Sequence, residues 1–254
     1  MPRAYEHGMA EYGMAPVKPI AAHTLVLEQI RMSINLGRFR LGDRLPPERV
    51  LAVMLGVSRT TVRGAVAILS AEGELEIKRG HNGGLIVCDP SRVAAEVKRD
   101  LRSNQKKLRD TFDFRVAVES AAARLAAQRR TNKDLKSLDA LLAKLVDLLD
   151  GDLAQPSPVL TADFHVIDTQ FHIGIAQAAR SQRLMTAVRE VRAAMFRPVG
   201  AVFDHLEPNA NDLHAQVLVA IHEQDGEAAA QAMTDHVNST MAVLDAWLSS
   251  SNRA

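Results

Sequence analysis

Residues 45–88 read LPPERVLAVMLGVSRTTVRGAVAILSAEGELEIKRGHNGGLIVC, and this stretch decides the N-terminal fold. Its spacing predicts a short helix over Glu48–Leu55, a corner at Gly56-Val57 and a second helix opening at Ser58. Serine suits that opening because its hydroxyl accepts from an otherwise orphaned backbone N–H. Glycine at the corner lets the chain turn within a few residues, as a helix-turn-helix requires. Along the second helix, Val62, Val66 and Leu69 form an apolar stripe that must pack inward. Its first turn instead presents Arg59, Thr60, Thr61 and Arg63. Arg59 and Arg63 stand four apart and leave the same face. Their guanidinium forks match guanine edges or phosphate oxygens in a major groove.

A helical hairpin with a surface arginine pair is not specific by itself, and the next residues narrow the reading. Glu74–Ile77 alternates charged and apolar residues, Arg79-Gly80 and Asn82-Gly83-Gly84 supply turns, and Leu85-Ile86-Val87 favours a strand. That pattern predicts a small hairpin of the wing type. Lys78, Arg79 and His81 sit at its tip, where a sugar-phosphate backbone would pass.

Leu45-Pro46-Pro47-Glu48-Arg49, followed by Leu55-Gly56-Val57-Ser58-Arg59-Thr60-Thr61-Val62-Arg63, resembles the signature of the GntR family of bacterial transcription regulators. With a helix over about Ile20–Leu36 and the run Gly42-Asp43-Arg44, the resemblance spans residues 18–88. Carried over by position, it implies DNA contacts at Arg49, Ser58, Arg59, Thr60, Arg63 and Gly80. It also implies a two-fold homodimer on double-stranded operator DNA. Gly64-Ala65-Val66 departs from the family's Glu-Ala-Leu, and a glycine inside a helix costs about 1 kcal/mol of propensity.

At 254 residues the chain exceeds what one winged helix needs, so a second domain is expected. No apolar run approaches the ~20 residues of a membrane span, and no secretory signal is expected at the N-terminus. The single cysteine, Cys88, falls in the wing strand and is expected to be buried, in a reducing cytoplasm. Net charge is only +1, but its distribution is uneven. Residues 1–90 carry 11 Lys+Arg against 9 Asp+Glu, and residues 91–110 carry seven basic side chains against three acidic ones. Such a modest local field suits specific DNA binding and argues against a histone-like coating protein.

The expected fold is mainly α, a winged helix-turn-helix followed by an antiparallel all-α bundle. Residues 1–18 read as a disordered leader, 19–90 as the DNA-binding domain, 91–107 as a connecting helix and 108–250 as the helical domain. Amphipathic segments run over 91–103, 108–130, 132–150, 160–179, 181–203, 207–224 and 226–250, with breaks at glycine and proline sites including Arg197-Pro198. Phe112-x-x-Arg115-x-x-x-Glu119, Arg124-Leu125-Ala126-Ala127 and Asp168-x-x-Phe171-His172 resemble the FCD effector domain of the FadR-like branch.

Six of nine histidines lie between 165 and 236. Asp168 and His172 are four apart, about 5–6 Å at Cβ, so one cation can engage both. His214 opens an inward stripe with Val217, Leu218 and Ile221, and His236 shares an inner face with Met233, Val237 and Met241. A lone inward histidine is more often a hydrogen-bonded core residue than a ligand. The FCD resemblance, however, implies metal ligands at these same four positions. One carboxylate and three imidazoles suit a divalent ion, zinc first, with nickel, manganese or cobalt as alternatives. Open positions on that ion would accept a small carboxylate effector, the ligand class that the resemblance implies. Arg115 is the candidate anion partner, or else an ordinary intrahelical partner of Glu119. His165 could line the same side, whereas His205 and His222 read as surface residues.

The expectation is a ligand-responsive DNA-binding regulator, a repressor, and not an enzyme. A metal-dependent hydrolase is the rival, since open metal positions can activate water. Against it, no base stands in an H-E-x-x-H-like frame, and His165 is the sole candidate. A third possibility is a regulator whose metal is purely structural.

Overall fold

The computed structural model describes residues 21–80, 83–88, 103, 105–149, 158–200 and 210–250. The leader, the expected helix over 91–103 and His205 fall outside these residues, as does His81. The architecture is a winged helix-turn-helix followed by an all-α bundle.

Helix α1 (Ala22–Asn35) buries Val26, Leu27 and Ile30. Its exit is turned by Gly37 at φ +68°, in the left-handed region where a side chain is strained. Strand β1 (Arg44–Leu45) leads to α2 (Glu48–Leu55), which ends on left-handed Gly56. Helix α3 (Arg59–Ala71) follows at a bend of 115°, within the range of helix-turn-helix units. Strands β2 (Leu75–Lys78) and β3 (Gly84–Val87) form the wing, with Leu75 opposite Val87 and Lys78 opposite Gly84.

Two details differ from the sequence pattern. Strand β1 pairs with the far side of β3 and completes a three-stranded antiparallel sheet. Two residues carry no readable alternation, so this strand was not expected. Ile77 shares the alternation of Leu75 and pairs with buried Leu85, yet is 52% exposed on the outer strand of the sheet.

The bundle comprises α4 (Gln105–Arg129), α5 (Asn132–Leu149), α6 (Pro158–Ala178), α7 (Gln182–Gly200), α8 (Ala210–His222) and α9 (Gly226–Ser250). Helices α4 and α9 run antiparallel, with Arg109–Asp245 at one end (3.4 Å) and Arg124–Glu227 at the other (2.7 Å). Ala122, Ala123, Ala126 and Ala127 are all buried, and their small side chains let α4 be approached closely. Helix α7 continues past the expected break at Pro198 to Gly200.

Head and bundle touch directly. A Cβ on Gly37 would lie 2.2 Å from Val166 Cγ1 on α6, and Arg40 Nη1 is 3.7 Å from Asp163 Oδ1.

Candidate metal centre and nucleic-acid face

The candidate nucleic-acid face lies at the start of α3. Ser58 Oγ accepts from Thr61 N at 3.1 Å and lies 2.8 Å from Thr61 Oγ1, so this hydroxyl serves the cap. Arg49, Arg59, Thr60 and Arg63 are exposed. Arg63 Nε reaches Glu48 Oε2 at 3.4 Å, which ties the two helices together at their outer edge. On the wing, Gly80 is exposed at φ +103°, and Lys78 lies 3.6 Å from Glu76. Cys88, one residue past β3, is half-buried rather than buried, and its Sγ lies 3.6 Å from Ile86 O.

In the bundle, three helices bring Asp168, His172, His214 and His236 together. One donor atom from each lies within 4.8 Å of the other three, and all four residues are buried. His214 Nε2 is 3.0 Å and His172 Nε2 3.4 Å from Asp168 Oδ1, and His236 Nε2 is 3.2 Å from His172 Nε2. The ring of Phe171 stands edge-on to His214, with centroids 5.1 Å apart, and walls the site with apolar surface.

Outer partners orient two of the four. Glu119 Oε2 contacts His172 Nδ1, while its Oε1 accepts from Arg115 Nε at 2.7 Å. A carboxylate on Nδ1 keeps the proton there and leaves the Nε2 lone pair facing inward. Asp168 divides its oxygens. Oδ1 faces the imidazoles, and Oδ2 accepts from Arg192 Nη2, which also lies 3.2 Å from Thr169 Oγ1.

Burial opposes ionisation of Asp168, but Arg192 and then His172 more than offset it and hold the carboxyl well below its usual range. Glu119 behaves likewise, with Arg115 and His172 overcoming burial. Burial pushes His214 down despite Asp168, and pushes His236 well down with help from His214 and His172. These two rings are therefore neutral near pH 7, the form that ligates metal. His165, half-buried three residues before Asp168, is lowered to about 4 by burial, opposed by Asp168 and reinforced by Arg192.

Arg115 is buried and paired with Glu119, the intrahelical partner raised for it, and Glu119 in turn contacts His172. His222 is exposed, 2.8 Å from Asp139. Arg192 and the second role of Glu119 escaped the sequence reading. The only signal for Arg192 is a charge set four residues after Val188, on an otherwise apolar stripe.

A winged head joined to a helical bundle with a buried cluster of one carboxylate and three imidazoles has the architecture of a two-domain DNA-binding regulator. Residues 24–83 match the bacterial regulatory proteins of the gntR family, and residues 110–239, just over half the chain, match the FCD domain. The HTH-type transcriptional regulator RmpR of Mycobacterium gastri is 30% identical over 218 residues, covering 84% of this chain and 76% of that protein. The Uxu operon transcriptional regulator of Escherichia coli K12 is 30% identical over 206 residues, covering 77% and 76%. Among solved structures, E. coli McbR/YncC shares the fold with a TM-score of 0.50 at 19% identity, covering 89% of this chain and 98% of that one. The chain belongs to the GntR family of bacterial regulators and carries its FCD domain. It is a ligand-responsive, DNA-binding transcription regulator. Regulators of this family bind operator DNA and typically dimerise, and the relatives found are transcription regulators. Among the described residues, no single helix is long and apolar enough to cross a membrane.

Proposed function

We propose that Asp168, His172, His214 and His236 hold a divalent metal, zinc first, and that a small carboxylate bound there changes how the head engages its operator. In this reading residues 19–90 bind DNA, 91–107 connect and 108–250 sense. The protein acts as a cytoplasmic homodimer and represses until the acid binds. Arg49, Ser58, Arg59, Thr60, Arg63 and Gly80 form the DNA face, nickel, manganese and cobalt are the alternative ions, and Arg115 belongs to the effector site.

The observation that carries the metal is the convergence of Nε2 lone pairs and a carboxylate oxygen in a buried site. Glu119 holds the His172 proton on Nδ1, so His172 Nε2 faces both Asp168 Oδ1 and His236 Nε2 as an acceptor. Without metal these atoms must share protons from the His214 and His236 rings. A divalent cation replaces those protons and satisfies all four donors at once. The outer partners Glu119 and Arg192 are of the type that orient metal ligands. The hydrolase alternative is weakened by His165, which at about 4 is a poor base at neutral pH.

Elemental analysis of purified protein tests the reading. Asp168→Ala, His172→Ala, His214→Ala and His236→Ala should each lower metal content, and His205→Ala and His222→Ala should not. Full occupancy in the His214 or His236 variant would show that other residues hold the ion. Turnover of simple esters or phosphates by the metal-loaded protein would favour the hydrolase instead.

A further inference from the structure

We infer that the effector is a dianion, a short dicarboxylate, with one carboxylate at the metal and the other on the spare guanidinium donors of Arg115 and Arg192. This rests on the metal-sensor reading and adds the charge of the ligand and a second anchoring residue.

The first argument is charge balance. Four charged side chains border the donors, and all are buried: Arg115 and Glu119 at 2% exposure, Arg192 at 7% and Asp168 at 8%. They form two closed pairs, Arg115 with Glu119 and Arg192 with Asp168. The metal-free site is therefore neutral. Histidines ligate as neutral rings, so a divalent ion adds two positive charges that nothing in the chain offsets. Uncompensated charge in a protein interior is costly. A monocarboxylate removes half of the excess, and a dicarboxylate removes it all.

The second argument is independent of the metal's charge. Each guanidinium keeps one buried nitrogen without a hydrogen-bond partner among the described residues, Nη2 on Arg115 and Nε on Arg192. Orphaned donors on a cation are expensive, and carboxylate oxygens satisfy them best. Each arginine stands one carboxylate away from the His172 ring, Arg115 through Glu119 at Nδ1 and Arg192 through Asp168 at Nε2. Two buried cations flanking the same donor set, each with a spare donor, make a receptor for an anionic group.

Calorimetric titration of full-length, zinc-loaded protein tests this with acetate and propionate against oxalate, malonate and succinate. At least one dicarboxylate should bind about tenfold or more tightly than the monocarboxylates, the worth of one charged donor regained. After chelation that preference should vanish, because the site is neutral again. Arg192→Gln, titrated at saturating zinc, should lose the preference for the dianion. The double variant Arg115→Gln/Glu119→Gln keeps the charge count and avoids a lone buried carboxylate. At saturating zinc it should narrow the ratio between dicarboxylate and acetate affinity. Equal affinity for mono- and dicarboxylates in the wild type would overturn the inference and leave the acid-sensor reading standing. So would an unchanged preference in both arginine variants. Zinc-loaded protein that binds no acid at all would overturn the sensor reading and this inference together.

Discussion

In the proposed DNA face Arg63 has a different starting point from Arg59, because its Nε already lies 3.4 Å from Glu48 Oε2. An exposed ion pair of this kind is worth little, so a guanine edge or phosphate can draw the guanidinium away. Arg59→Ala and Arg63→Ala should each cost about 1–3 kcal/mol in operator affinity and relax base preference. Anisotropy titrations against a selected operator and its single-base variants check this, and unchanged affinity in both would remove these residues from the interface. Lys78→Ala or Arg79→Ala should instead weaken binding to all sequences and flatten the salt dependence. Inside the bundle, Glu119→Gln deprives the His172 Nδ1–H of its charged acceptor. Metal affinity should fall roughly 10–100-fold by chelator competition, whereas no change would mean that Glu119 serves Arg115 alone.

At the level of elements, α3 was the most legible part of the chain. Its Ser58 cap, its apolar stripe and the Gly56 corner are local signals that act within one or two turns, and each is present in the structure. Gly64 is the one weak point in that helix. A Cβ there would meet His23 Cβ at 3.5 Å, an ordinary contact, so space does not demand a glycine. Gly64→Ala should therefore raise stability by about 0.5–1 kcal/mol, read as a shift of the denaturant midpoint. A fall in the midpoint would mean that the contact with His23 is tighter than the helix can absorb. Strand β1 was illegible for the opposite reason. Its two residues owe their conformation to pairing with β3, more than forty positions along the chain.

On the scale of the whole molecule, the seam between Gly37 and Val166 places the reading head two residues from the proposed metal ligand Asp168. In the proposed sensor, a ligand-driven movement of α6 would reach the exit of α1, alongside any route through the proposed connecting segment 91–107. Gly37→Ala combines a strained left-handed φ with a collision at Val166, and should prise the head from α6. Metal content should stay as in the wild type. The operator response of metal-loaded protein to the acid, about 5–150-fold for a typical allosteric coupling, should shrink. Val166→Ala, which leaves the backbone unstrained, serves as the second variant. Operator titrations of zinc-loaded protein with and without succinate or another acid that binds decide, and an unaltered response in both variants would confine the coupling to the connecting segment.

What the sequence by itself determined is the set of features governed by short-range physics. Helix periods, caps, the wing's turns and the face on which each histidine lies all follow from residues within a few positions of one another. His214 and His236 were legible as inward residues of their helices and Asp168 with His172 as a pair four apart, while the ligand role of all four came from the resemblance to the FCD domain. Tertiary structure alone decided what surrounds them. Arg192 reaches Asp168 across 24 residues, and Glu119 reaches His172 from another helix. Such pairings depend on the angle and depth at which helices pack, and a buried charge shows no periodic signal of its own. The partner that makes its burial tolerable is set by the fold as a whole.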